Sequence, residues 1–158
     1  MKKIIFLLIF LSIGACSGYK PIFSSSNINF TLNNYSISGD KKIGNQIYSK
    51  LYKISKSSKN SPDTKNISII INSQKDKNPT SKDKTGKVLA YKINILADIT
   101  VKDLETNNEI LSEKFNSSLS YKVQNQHSET IKLENKSIEN IVDRIYQDFI
   151  IKLSESFL

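Results

Sequence analysis

The sequence predicts an α+β two-layer sandwich in the order β-α-β-β-β-α, with two helices on one face of a four-stranded sheet. Three observations carry this. Apolar residues take every second position from Leu89 to Val101 and recur on one face from Leu111 to Val123, the pattern of two strands each buried on one side. Two other stretches, 43–54 and 138–153, repeat their apolar residues at three and four positions, the spacing of a helix with one buried stripe. An amphipathic sheet and two amphipathic helices bury their apolar faces together when both helices cover one face of the sheet.

The chain opens with a short apolar leader. Lys2 and Lys3 form a positive start, Ile4 to Leu11 an apolar run of roughly ten residues, and Gly14 and Ala15 stand just ahead of Cys16, the single cysteine. A spanning helix needs ~20 apolar residues, so the run is too short for a transmembrane anchor. The arrangement is that of a bacterial lipoprotein signal covering 1–15. Small residues let the peptidase approach the backbone, and the Cys16 thiol carries the lipid. Each acyl chain such as palmitate contributes ~0.8 kcal/mol per buried methylene, so two or three chains hold the protein firmly on a bilayer. Ser17, where aspartate would signal inner-membrane retention in enteric-type bacteria, favours the outer membrane. Residues 16–26 read as a lipidated tether, and 27–158 as a single domain.

The first strand, Ile28 to Ile37, changes phase after Leu32, which places a bulge at Asn33-Asn34. Asp40 is suited to cap a helix running to about Lys56, whose stripe is Ile43, Ile47, Leu51 and Ile54, widened by Tyr48 and Tyr52. A loop through Pro62 then leads to a short strand over Ile67, Ile69 and Ile71, ending near Asn72. The stretch 73–87 has no apolar residue and contains Lys75, Lys77, Lys82, Lys84 and Lys87, so it reads as a mobile basic loop.

The long hairpin follows, with 105–108 as its turn. At ~3.3 Å per residue its strands exceed the usual ~17–20 Å, so it should overhang the helices. Glu113, interrupting the apolar face toward that turn, marks the end expected to leave the core. Ser137 is suited to cap the last helix, with 130–136 partly helical ahead of it. The opposite sheet face, rich in Ser, Thr, Asn and Lys, is open to solvent or a partner.

Composition narrows the function classes. Removing Lys2 and Lys3 leaves 21 Lys+Arg against 15 Asp+Glu, a balance of +6 that suits an anionic partner. The export signal argues against nucleic acid. With Cys16 lipidated, no disulfide is available within the chain. His127 is the single histidine and lies in a polar stretch, no metal-ligand spacing is present, and the glycines are scattered. The inventory is not that of an enzyme, and it implies no cofactor or metal.

The sequence resembles the LptE family of lipopolysaccharide-assembly lipoproteins, in its alphaproteobacterial form. The family's opening C-G-[FW]-x-P-[LI]-[YF] is close to Cys16-Ser17-Gly18-Tyr19-Lys20-Pro21-Ile22-Phe23, with one extra residue after the cysteine. Lys87-Val88-Leu89-Ala90-Tyr91-Lys92, Ser118-Leu119-Ser120-Tyr121 and the closing Ile151-Lys152-Leu153 fit in the same order. The resemblance implies an outer-membrane protein on the periplasmic side that plugs the LptD β-barrel, helps assemble it, and binds lipopolysaccharide in transit. It places glycolipid contacts on Lys84, with Lys82 and Lys87 beside it, and near Lys132. It makes Tyr19, Pro21 and Phe23 candidate contacts with the barrel. The residues alone also accommodate an auxiliary lipoprotein of a lipid-trafficking ABC system, or a purely structural envelope lipoprotein.

Metabolic labelling with an alkyne palmitate is expected to tag the full chain, and Cys16→Ser to abolish the tag. Equal labelling of the variant would overturn the lipobox reading.

Overall fold

The computed structural model describes residues 29–57 and 64–157. The elements are β1 (Phe30–Gly39), α1 (Lys41–Ser57), β2 (Lys65–Lys82), β3 (Val88–Asp103), β4 (Glu109–Lys122) and α2 (His127–Ser156), in the expected β-α-β-β-β-α order. The strands form one sheet in sequence order, with β1 parallel to β2 and the two later pairs antiparallel. Both helices cover one face. Among the described residues, no helix is long and apolar enough to cross a membrane.

The core is an isoleucine-rich layer. Ile67, Ile69 and Ile71 of β2 and Ile93, Ile95, Ala97, Ile99 and Val101 of β3 point toward the helices and are fully buried. Ile43, Ile47 and Leu51 of α1 and Ile141, Ile145, Phe149 and Leu153 of α2 meet them. Phe149 sets its ring edge-on to Phe115 of β4 at 6.0 Å, a favoured aromatic geometry. The phase slip in β1 is a bulge: the register jumps between Leu32 and Asn34. At the bulge the Leu32 amide donates to the buried Ser55 hydroxyl at 2.8 Å, tying the end of α1 to the strand.

The change of direction from β1 into α1 is tightly built. Gly39 has φ +74°, and a Cβ there would lie 2.0 Å from the Ser73 carbonyl oxygen, so glycine is required. The Asp40 amide donates to that same carbonyl at 2.6 Å. The Asp40 carboxylate accepts from the amides of Lys42 and Ile43, the expected N-cap. Gly44 brings α1 close to β1, since a Cβ there would meet Ile37 at 2.4 Å.

Three expectations are corrected. The stretch 73–87 is not a mobile loop, because β2 continues to Lys82 and pairs with β3 throughout, leaving only 83–87 as a turn. Alternation is absent there because this part of β2 lies beyond the start of α1 and turns polar side chains inward; backbone pairing to β3 keeps it extended. Pro79 is tolerated because β1 stops at the level of Ser73, so β2 is an edge strand from there on and a missing amide costs no second ladder.

The overhang therefore lies at the β2–β3 end and not at the turn after Asp103. At the latter end Val101 and Leu111 are buried, while Glu113, on edge strand β4, stays in solvent. Lastly, α2 starts ten residues before Ser137, which is buried inside it and caps nothing. Thr130 and Ser137 sit on the buried face, and these polar residues hid the first three turns from an apolar-periodicity reading.

Gly39→Ala should destabilise the fold by at least ~2 kcal/mol, from the left-handed backbone and the clash with Ser73. Gly86→Ala, where φ is also positive but no atom lies within 4 Å of the added Cβ, should cost less. Urea unfolding of the two variants compares them.

Candidate anion-binding surfaces

The overhanging end of β2 and β3 carries three of the four sequence-predicted contact lysines. Lys82 closes β2, and Lys84 and Lys87 lie in the turn, all exposed. The turn is ordered by one carboxylate: Asp83 Oδ1 accepts from the Thr85 amide at 2.8 Å, the Thr85 hydroxyl at 2.7 Å and the Lys87 amide at 3.0 Å. The Thr85 hydroxyl bond, followed by those backbone bonds, holds the Asp83 carboxyl below its ordinary value. Asp83 thus stays ionised and aims the lysines outward, and the tip keeps three positive charges against one negative.

A four-residue cluster fastens this end to α2. Lys77 Nζ lies 2.5 Å from Glu134 Oε2, and the Tyr121 hydroxyl donates to the same oxygen at 2.8 Å. The Lys77 ammonium also sits 4.5 Å from the centre of the Tyr91 ring, which stacks on Tyr121 at 5.9 Å. Partial burial pushes the Glu134 carboxyl up, but its bonds from Lys77 and Tyr121 outweigh this and hold it below the ordinary value. For Lys77, burial acts downward, and Glu134 and Tyr121 raise it above the ordinary lysine value. Sequence reading placed Tyr91 and Tyr121 on the apolar faces of the hairpin strands and in short motifs; their partner Lys77 was lost among the lysines of the supposed loop.

The two helices run in the same direction. α1 runs back along β1, as the Leu32–Ser55 bond shows, and α2 runs back along β4, from Tyr121 beside Glu134 to Phe115 against Phe149. The helices are parallel, so both N-termini lie toward the basic end, the first capped by the Asp40 carboxylate and the second with Glu129 in its first turn. Leu89 of β3 and Ile131 and Leu133 on the first turns of α2 are exposed apolar residues on this end.

Lys132 is not brought to the hairpin tip. It lines a groove of about 880 Å³ between α1 and α2, together with Lys42, Lys50, Lys53 and Lys136. The four predicted lysines therefore divide between two surfaces. His127 is the exposed first residue of α2, and among the described residues no group of three or more His, Cys, Asp or Glu is placed to hold a metal. Cys16, Tyr19, Pro21 and Phe23 lie outside the described residues.

The outer sheet face is polar, as its alternation predicted. The Thr100 and Ser112 hydroxyls meet at 3.1 Å, and Lys114 pairs with Asp98 at 3.6 Å. Ile70 is its one large, well-exposed apolar side chain among the described residues.

No protein-family model and no curated protein matches the sequence. Solved structures do share the fold. A minor lipoprotein from Acinetobacter baumannii superposes with a TM-score of 0.55 at 13% identity, over 83% of this chain and 96% of that one. An uncharacterized lipoprotein B from Nitrosomonas europaea gives 0.54 at 14%, over 84% and 88%. The rare lipoprotein B from Shewanella oneidensis gives 0.50 at 14%, over 79% and 96%. The fold is one that bacterial lipoproteins use.

Glu134→Gln should lower stability by ~1 kcal/mol at neutral pH, the scale of a partly exposed ion pair. Because the Glu134 carboxyl is depressed on folding, its contribution is present above the unfolded value and disappears as pH falls through the folded one. The gap between wild type and variant should close on acidification in urea titrations. A gap of constant size would show that the carboxylate charge is not involved.

Proposed function

We propose that this chain is a lipid-anchored outer-membrane protein that plugs an LptD-type β-barrel from the periplasmic side, assists its assembly and binds lipopolysaccharide in transit. The observation that carries this reading is the extended, basic end of the β2–β3 hairpin. Lys82, Lys84 and Lys87 present ammonium groups suited to lipid A phosphates, and Leu89, Ile131 and Leu133 offer apolar surface suited to acyl chains. Lysine supplies charge without the bidentate fork of arginine, so these contacts tolerate a ligand that moves on.

The polar outer sheet face supports the plug, because a barrel lumen is itself polar. The likeness in fold to rare lipoprotein B and other bacterial lipoproteins supports a place in the envelope. The reading assigns no catalytic step, cofactor or metal.

The double variant Lys82→Gln/Lys84→Gln should bind lipopolysaccharide at least ~10-fold more weakly at low salt, where exposed charges act most strongly. Unchanged retention would remove the tip from the ligand path. Crosslinking in cells should recover a large outer-membrane barrel with the chain; recovery of inner-membrane partners alone would defeat the plug and favour an ABC-system accessory.

A further inference from the structure

We propose that the groove between α1 and α2 is a second binding site, separate from the hairpin tip, and that it takes a phosphorylated saccharide. The groove holds Lys132, one of the lysines that the resemblance assigns to glycolipid, but the assignment does not rest on the hairpin tip and stands even if the tip binds nothing. The groove is lined by five lysines and a single glutamate. Lys136 pairs with Glu139 at 3.1 Å, and Lys50 pairs with the neighbouring Asp143 at 2.6 Å. Lys42, Lys53 and Lys132 have no ion pair among the described residues, so each helix contributes unneutralised charge to the same concavity. Lys42 and Lys53 are eleven residues apart on α1, about 16 Å along the axis, so the charge extends over more than one small anion.

The remaining lining decides the class of anion. Side-chain amides of Asn45, Gln46 and Asn135 stand among the lysines, and amides exchange hydrogen bonds with hydroxyl groups in both directions. Gln46 Oε1 is turned inward and meets no donor, an unsatisfied acceptor that a small side-chain rotation would offer to a ligand hydroxyl in the groove. The lining contains no aromatic residue, so nothing there stacks a nucleobase. The apolar side chains at the floor of the groove, Ile138 and Val142, are 5% and 1% exposed, so its surface is made by the lysine, amide and serine side chains above them. A polar, hydroxyl-bearing phosphate ester satisfies the lysines and the amides together.

The test is an NMR titration of the full chain in micelles with glucose 1-phosphate, set beside glucose, inorganic phosphate and phosphatidylglycerol dispersed in the same micelles. Saturable shifts of the Asn45, Gln46 and Asn135 side-chain amides with glucose 1-phosphate are expected. Lys42→Gln/Lys132→Gln should weaken binding at least ~10-fold with unchanged thermal unfolding. Gln46→Leu should weaken it about threefold with the lysines in place, the scale of one hydrogen bond. Lys82→Gln/Lys84→Gln should leave it unaltered, which separates this site from the tip. Absence of saturable shifts, equal affinity for inorganic phosphate, the same shifts from phosphatidylglycerol without any from glucose 1-phosphate, or an equal loss in the tip variant would each overturn the proposal.

Discussion

The close approach of Gly39 to the Ser73 carbonyl sets the plan of the molecule. It reverses the chain where β1 ends, places the first turn of α1 at the level of Ser73, and so defines how far along β2 and β3 a helix covers the sheet on that side. Within that limit the inward positions are isoleucine, and ~25 cal/mol for each Å² of buried apolar surface accumulates to hold the layers together. Beyond it β2 carries Lys75, Lys77 and Pro79 inward, since α1 does not reach above them. A Cβ at residue 39 would push on the one carbonyl that also receives the Asp40 amide, so the turn, the cap and the end of the covered sheet move together.

The uncovered end is held by different forces. Its strands have their ladder hydrogen bonds, and Lys77, Tyr91, Tyr121 and Glu134 bind it to α2 through a shared carboxylate oxygen and two stacked rings. Such a cluster gives less stabilisation per residue than an isoleucine core, but it tolerates water. It therefore keeps the hairpin extended and pointed without burying it. Salt weakens it where the core is indifferent.

The helices are parallel, an arrangement that lysine counting alone does not predict. Both N-termini lie toward the hairpin end, and the groove between the helices opens beside them. The basic balance of the chain is thus concentrated in two places of different character. The tip sets lysines beside exposed Leu89, Ile131 and Leu133, whereas the groove sets lysines beside amides over buried Ile138 and Val142. The tip exposes large apolar side chains and the groove keeps its own buried, a difference that suits the two surfaces to different ligands.

By itself the sequence determined the element order, the Asp40 cap, the bulge after Leu32 and the polarity of the outer sheet face, because each depends on residues close together in the chain or on strict alternation. It misjudged 73–87 and the start of α2, where apolar periodicity fails: the strand there is held by pairing to β3, and the helix buries Thr130 and Ser137 instead of apolar side chains. Tertiary structure alone decided which end overhangs, that Lys132 parts company with Lys82, Lys84 and Lys87, and that Lys77 serves as a fastening. These follow from how far each helix reaches along the sheet, and for α1 that reach is set by a contact between Gly39 and Ser73, residues 34 positions apart that no local pattern links.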